Sequence, residues 1–279
     1  MPTVLVTGAA GGIGALAVRR FLEAGWTVVA TDRSAEGLAQ ISADEATRSR
    51  LHRVSMDVTL DASVAEAARA VTALTSGQGP DVLVNNAGLG LLSPVVEMQE
   101  AELRLMLEVN VLGLLRVTRA FIPALCERRG RVVNVGSLAG IVTLPFFGGY
   151  SASKYAVEAI SDAMRMELAP FGVRVSLVEP AIVATGFVDA CVRSLRAHAE
   201  RGSRWRDALE RSARLRSTLQ RAELPPERVA RAIVRAATAR RPRARYPVGR
   251  VASWLIRALH SSPVSWRDGA MRWLVGLAS

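Results

Sequence analysis

Apolar residues along this chain fall into two alternating rhythms. Short continuous runs occur at Thr3–Thr7, Thr27–Thr31, Leu51–Met56, Val82–Val84, Val132–Gly136 and Arg174–Val178, with a last short one at Arg245–Val248. A run that is apolar at nearly every position, not every second one, is what a strand covered on both faces needs. Between the runs lie longer segments with apolar residues at three- and four-residue spacing: Gly12–Ala24, Ala62–Leu74, Glu100–Cys126, Ser151–Ala169 and Pro226–Ala239. That spacing marks amphipathic helices, and the third segment is long enough for two. Strand and helix in alternation predict βαβ units. With right-handed crossovers they build an α/β fold, a Rossmann-type doubly wound parallel sheet of about seven strands with helices on both faces.

Two segments stand outside that alternation. Gly186–Leu224 reads as one or two Arg-rich helices, with Trp205, Ala208, Leu209, Ser212, Leu215 and Leu219 near one face and Arg204, Arg206, Arg211, Arg214 and Arg221 largely elsewhere. From Gly249 onward, Trp254, Leu255, Ala258, Leu259, Trp266, Trp273 and Leu274 mix with isolated arginines. The expected organisation is one domain over residues 1–248, with 186–224 as a substrate lid within it and 249–279 as an amphipathic tail.

Composition narrows the setting. The 279 residues suit one large domain and are too few for two comfortable ones. No stretch holds the roughly 18 consecutive apolar residues of a membrane span. The strand pattern at Pro2-Thr3-Val4 leaves no room for a leader peptide in this sequence. Cys126 and Cys191 have no metal-type spacing, and a reduced, cytoplasmic setting is the natural reading for two cysteines used as small hydrophobes. Charge divides sharply: residues 1–190 carry a net −3 and residues 191–279 a net +14. Basic residues in the last third alternate with Glu200, Asp207, Glu210 and Glu223 and match no nucleic-acid motif, so a solvated helix face is expected there and no nucleic-acid partner. Of 36 basic residues, 35 are Arg and one is Lys154. A position kept as lysine against that bias points to a need for a compact, titratable ammonium.

Candidate chemistry lies at the ends of the strands. The first runs into Thr7-Gly8-Ala9-Ala10-Gly11-Gly12-Ile13-Gly14 and then a helix, a turn whose backbone N–H groups can face a pyrophosphate. Asp32 closes the second strand, where a carboxylate can accept from the adenosine ribose hydroxyls and repel a 2′-phosphate; that favours NAD. Arg33 follows directly and can pair with that phosphate, which keeps NADP as the alternative. Asp57, in Met56-Asp57-Val58, is placed to reach the adenine amino group, or else to serve as a cap or turn residue. Asn85-Asn86-Ala87-Gly88 ends the fourth strand: its amides can knit neighbouring strand ends, while Ala87 and Gly88 leave room for the cofactor. Ser137 ends the fifth. Thirteen residues later, Tyr150 and Lys154 stand four apart at a helix start and face the same way. A cation beside a phenol of ordinary pKa about 10 favours phenolate and makes it an acid–base group near neutrality. Taken alone, a surface Tyr/Lys pair on a helix explains such spacing equally well.

The set TGAAGGIG, NNAG, an Asn in VNVLG, a Ser ending the fifth strand and YSASK, in this order, closely resembles the short-chain dehydrogenase/reductase family over residues 3 to about 250. The resemblance implies that Gly8, Gly12 and Gly14 form the cofactor turn, with Ile13 and Val58 also in contact, and that Asn86 belongs to the adenosine-side motif. It implies a tetrad of Asn110, Ser137, Tyr150 and Lys154: Tyr150 as acid–base, Ser137 positioning the substrate oxygen, Lys154 binding the nicotinamide ribose, Asn110 holding a water. Pro180-Ala181-Ile182-Val183-Ala184-Thr185 is similar to the family's PGxxxT, in which Pro180, the Val183 backbone and Thr185 would meet the carboxamide; Ala181 stands where Gly is usual. More loosely, the region beyond Lys154 resembles retinol and hydroxysteroid dehydrogenases, which implies a lipophilic alcohol or ketone and a homo-oligomer. Leu89, Leu91, Leu92, Leu144, Phe146, Phe147 and Phe187 are candidates to line its pocket.

Two alternatives remain beside the enzyme. One is a silent dinucleotide-binding sensor or interaction module, although the tetrad is intact. The other concerns the tail, where Trp, Leu and Arg together suit a peripheral contact with a membrane surface, a cap over the cleft, or an oligomer contact.

Overall fold

The computed structural model describes residues 1–219 and 224–277, with the side chains of 216–219, 250–252, 255, 256 and 274 left aside. Predicted positions Leu219, Arg221, Leu255 and Leu274 therefore lie, in whole or in their side chains, outside the described residues. Seven strands form one parallel sheet: β1 (Thr3–Thr7), β2 (Thr27–Asp32), β3 (Leu51–Ser55), β4 (Val82–Asn85), β5 (Arg131–Val135), β6 (Arg174–Pro180) and β7 (Arg245–Val248). Their order across the sheet is β3-β2-β1-β4-β5-β6-β7. The chain winds outward from β1 in one direction, then returns to β4 and winds in the other. The C-terminal ends of β1 and β4 therefore open a crevice where the order reverses.

Each strand feeds both faces. Val4, Val6, Val28 and Ala30 join one core with α1 (Gly12–Glu23), and Leu5, Val29, Leu83 and Val132 join the opposite one. This period of two is why the strands read as continuous apolar runs. After the short α2 (Ala35–Ala39), which carries too few apolar residues to register in the sequence, comes α3 (Asp61–Leu74). The predicted double helix is α4 (Glu100–Leu107) and α5 (Gly113–Glu127), joined through a π turn at Glu108–Leu112. The run Glu100–Glu127 is long and apolar enough to cross a membrane on length and composition. Here Val117, Phe121 and Leu125 of α5 are buried against the sheet, so its apolarity is that of a core helix.

The long helix α6 (Gly148–Glu167) begins before Tyr150, not after it as the apolar spacing predicts, and β6 extends to Pro180. The Arg-rich segment forms α7 (Gly186–Glu200) and α8 (Arg206–Leu219), then α9 (Pro226–Thr238) packs against α1. The tail is helical as well, α10 (Arg250–His260) and α11 (Val264–Val275). Val275 and Leu277 at its end sit in a third apolar cluster with Leu195, Leu209 and Ala213 of α7 and α8.

Candidate active site

At the head of the crevice, Gly8 takes φ +63°, where a Cβ would be strained and would also stand 2.8 Å from Ala87 Cα. A Cβ on Gly14 would lie 2.2 Å from the Gly8 carbonyl oxygen. These two glycines let the turn fold tightly onto β4. Asn86 then clamps it: its side-chain amide donates to the Thr7 and Gly8 carbonyls, each at 3.0 Å. The Thr7 hydroxyl in turn accepts from the Asn86 and Ala87 amides, each at 3.0 Å. Thr7 was not among the predicted residues, although its place before Gly8 puts its hydroxyl against the end of β4. Gly12 and Ile13 open α1, and Thr185 Cγ2 would be 3.2 Å from a Cβ on Gly12. The segment after β6 thus returns onto the glycine turn.

Asp32 braces the glycine turn from the end of β2. One carboxylate oxygen accepts from the Ala10 amide at 3.1 Å and the other from Ser34 at 3.0 Å. Arg33 is exposed and lies close enough for its charge to act on Asp57. Asp57 takes the turn role that was its alternative: one oxygen accepts from the Thr59 amide at 2.9 Å and the Thr59 hydroxyl at 2.7 Å. Against the cost of partial burial, these bonds hold its carboxyl below the usual range. Val58 is buried and fills the space beside Gly113, on the α5 side of the sheet.

The strand ends are knitted as the amides suggest. Asn85 donates to Thr118 at 3.0 Å and to Asn134 at 2.9 Å, and Asn134 donates to Ser161 of α6 at 2.9 Å. Asn110, in the π turn, binds both sides of Leu89, accepting from its amide and donating to its carbonyl at 2.9 Å each. It also donates to Ser153 at 2.9 Å, and Ser153 donates to the Tyr150 carbonyl at 2.7 Å. Ser153, inside YSASK, is thus a positioning residue that sequence reasoning passed over.

Tyr150 and Lys154 are brought together. The Lys154 ammonium lies 5.9 Å from the Tyr150 ring centroid and donates to the Val135 carbonyl at 3.0 Å. Burial pushes its pKa down to about 8, partly opposed by the Glu158 carboxylate one turn along α6. Gly88 reaches the same point: a Cβ there would stand 3.2 Å from the Asn110 side-chain oxygen and 3.7 Å from Lys154 Nζ. β5 ends at Val135, two residues earlier than the sequence suggests, and Ser137 caps the short turn that follows, accepting from the Ala139 amide at 3.1 Å, which leaves its hydroxyl proton for another acceptor. Beside Tyr150, the ring of Phe187 of α7 lies tilted at 5.3 Å and that of Phe147 edge-on at 6.5 Å. Leu89, Leu91, Leu92 and Phe146 belong to the same apolar cluster as Tyr150, whereas Leu144 is not in it.

The segment after Pro180 is in place despite Ala181, which has no left-handed backbone to strain it. Leu224 donates to Ile182 at 2.9 Å and accepts from Ala184 at 3.1 Å. In a parallel bridge of this kind the N–H and C=O of the intervening Val183 face away from Leu224.

Residues 2–195 match the short chain dehydrogenase family. The chain belongs to that family. It is 41% identical over 187 residues to retinol dehydrogenase 16 of Mus musculus, a match covering 66% of this chain and 57% of that relative, so the chain spans little more than half of that protein's length. It is 30% identical over 266 residues to a 3-ketodihydrosphingosine reductase of Bacteroides thetaiotaomicron, covering 94% and 92% of the two chains. Among solved structures, a short-chain dehydrogenase/reductase of Burkholderia phymatum in complex with NAD superposes with TM-score 0.78 and 27% identity, over 93% of this chain and 92% of the other. An alcohol dehydrogenase of Thermococcus sibiricus complexed with 5-hydroxy-NADP gives TM-score 0.72 and 26% identity, over 89% and 96%.

Proposed function

We infer that this protein is an NAD(P)-dependent oxidoreductase acting on the carbinol or carbonyl carbon of a lipophilic alcohol or ketone. The observation that carries the reading is the buried Lys154 ammonium beside Tyr150, with an apolar cluster closing over the phenol. The bare glycine turn, the lack of a side chain at Gly88 and the outward Val183 backbone suit a dinucleotide laid from Asp32 to Thr185. When bound, the nicotinamide supplies one thing, an acceptor or donor of hydride. The chain does the rest. Ser137 donates to the substrate oxygen. Tyr150 takes the hydroxyl proton as the alcohol is oxidised and returns it to the carbonyl oxygen in reduction. Lys154 stabilises negative charge on the phenol oxygen and holds the nicotinamide ribose. The Asn110 side chain is fully engaged, so a water completing the proton path would meet its backbone in the π turn, where the regular ladder is broken. Asp32 makes NAD the favoured cofactor and Arg33 keeps NADP as the alternative.

Residues 186–224 serve as the lid in this reading. Phe187 lies against Tyr150, so a movement of α7 would uncover the phenol for a substrate. The partner is a small apolar molecule, with a second copy of the chain as the oligomer partner. An open groove of about 610 Å³ between α9 and β7, lined by arginines and Tyr246, carries no acid or nucleophile and takes no part in the chemistry. The setting is cytoplasmic, with peripheral membrane contact through residues 249–279. The test is spectrophotometric: purified protein with NAD and NADP against secondary alcohols graded by chain length and ring content. Turnover should rise with apolar size and vanish in Tyr150→Phe, which should still bind cofactor. Cofactor binding without turnover of any such alcohol or ketone would leave the silent sensor as the reading.

A further inference from the structure

Behind Lys154, away from the crevice, a line of charges runs through the protein to the tail. Glu158 follows Lys154 by one turn of α6 and is 9% exposed. One of its oxygens, Oε1, is buried without a hydrogen-bond partner and lies 3.4 Å from where a Cβ on Gly136 would stand, beside the Val135 carbonyl that holds Lys154. The other oxygen accepts from Arg245 of β7. Arg245 also donates to Glu179 of β6 at 2.9 Å and to Asp162 of α6 at 2.7 Å, and Asp162 is shared with Arg165. Glu179 is fully buried, and its second oxygen accepts from Arg257 of α10 at 2.7 Å. The carboxylates are thus Glu158, Asp162 and Glu179, and the cations facing them are Lys154, Arg165, Arg245 and Arg257.

We propose that Glu158 is a positioning residue that keeps Lys154 charged, and that α10, through Arg257 on Glu179, keeps Glu158 itself ionised. The reasoning is electrostatic. A buried ammonium is held in its charged form by a nearby carboxylate. Arg245 bridges all three carboxylates, Arg165 shares Asp162 with it, and Arg257 shares Glu179. When α10 is absent or undocked, the buried Glu179 depends on Arg245 alone, Arg245 is drawn toward it, and the cheapest relief is a proton on Glu158, the one with an unbonded oxygen. Burial, with the charges of Glu179 and Asp162, already brings Glu158 up to about 7 against the pull of Arg245. Protonated, Glu158 no longer supports the ammonium, and Lys154 loses its charge at a lower pH. Seating of the tail thereby sets the ionisation of the site.

This extends the oxidoreductase reading but is measured without substrate. Lys154 is the only lysine in the chain, so protein labelled with ε-¹³C lysine gives a single resonance whose pH titration reports this ammonium alone. In the full-length wild type the midpoint should fall near 8. Glu158→Gln should lower it by about one pH unit, since an isosteric amide removes the charge and little else. Arg257→Gln decides between mechanisms by sign. Acting as a distant cation alone, its removal would raise the Lys154 midpoint; acting through Glu158, its removal lowers it. Arg257→Lys should retain the wild-type value, and Arg257→Gln on top of Glu158→Gln should produce no further fall. A midpoint unchanged or raised in Arg257→Gln, with a wild-type circular-dichroism spectrum, overturns the proposal. An unchanged midpoint in Glu158→Gln does the same. Failure of the alcohol screen leaves this titration unaffected, so the two readings fall separately.

Discussion

Lys154 sits where an ammonium is costly. Burial lowers its pKa from an ordinary 10.5 to about 8, which means that the folded protein holds this proton less tightly than the unfolded chain. Between those two values the unfolded state binds more protons, and stability rises with pH. Below about 8 both states are charged and the full penalty is present, about 3 kcal/mol at 1.36 kcal/mol per unit. Lys154→Met should therefore unfold at higher denaturant than wild type at pH 7. Its advantage should shrink by about 3 kcal/mol as pH is raised from 7 to 10.5. Urea unfolding of both proteins across that range checks it; a constant difference would show that burial is not what moves the lysine. A residue that destabilises the fold and is nonetheless the single lysine among 36 basic residues fits the role proposed for it in the chemistry. The sequence exposed that exception through composition, because replacement by arginine stopped at one position. Ser153 and Glu158 left no such trace: each becomes meaningful only when α6, the π turn and β7 are brought together in space.

At the level of elements, the glycine turn and the ends of β1, β2, β4 and β5 were legible because strand, turn and helix there are local and their spacing is fixed by backbone geometry. The exact start of α6 was not, since Gly148 and Gly149 carry no apolar signal although both are helical. Asp57 was legible as a polar strand end, and its service to Thr59 was not, because a cap and a ligand contact use the same carboxylate. The same ambiguity holds for Asp32. Its oxygens brace Ala10 and Ser34, so replacing it by Ala would loosen the turn as well as remove the charge. Asp32→Asn is the cleaner change: it keeps an acceptor and removes the repulsion toward a 2′-phosphate, leaving Arg33 unopposed beside it. The ratio of NAD to NADP affinity should fall by about tenfold or more, the equivalent of about 1.4 kcal/mol, a modest fraction of the repulsion between two close charges near a protein surface. Titration of both cofactors against wild type and variant measures it. A wild type that already binds NADP more tightly would mean that Asp32 does not read the ribose at all.

Across the whole molecule, charge and aromatic residues are distributed unevenly, and both gather in the last third. Three of the five tryptophans lie in the tail, and Trp254, Trp266 and Trp273 are 70%, 76% and 70% exposed. Trp266 and Trp273 are seven apart on α11 and share a face, with Val264 exposed at its start. The tail is nonetheless seated: Val275 and Leu277 pack with α7 and α8, and Arg257 holds α10 to β6. A helix anchored through one face that leaves large indoles in water on another calls for a second medium. Indole favours the boundary between water and lipid, and the arginines of a tail that carries one acid add attraction to anionic headgroups. Full-length protein should therefore sediment with anionic vesicles at low salt and be partly released as ionic strength rises and screens the arginines. Tryptophan emission should shift to the blue on binding, because three of the five emitters move out of water. Replacing Trp254, Trp266 and Trp273 together by Ser should keep the protein in the supernatant while leaving its melting temperature close to wild type, since none of the three rings is buried. Protein that stays in the supernatant at low salt would remove the membrane from the picture and leave the indoles to a contact between copies of the chain, which the concentration dependence of its sedimentation would then reveal.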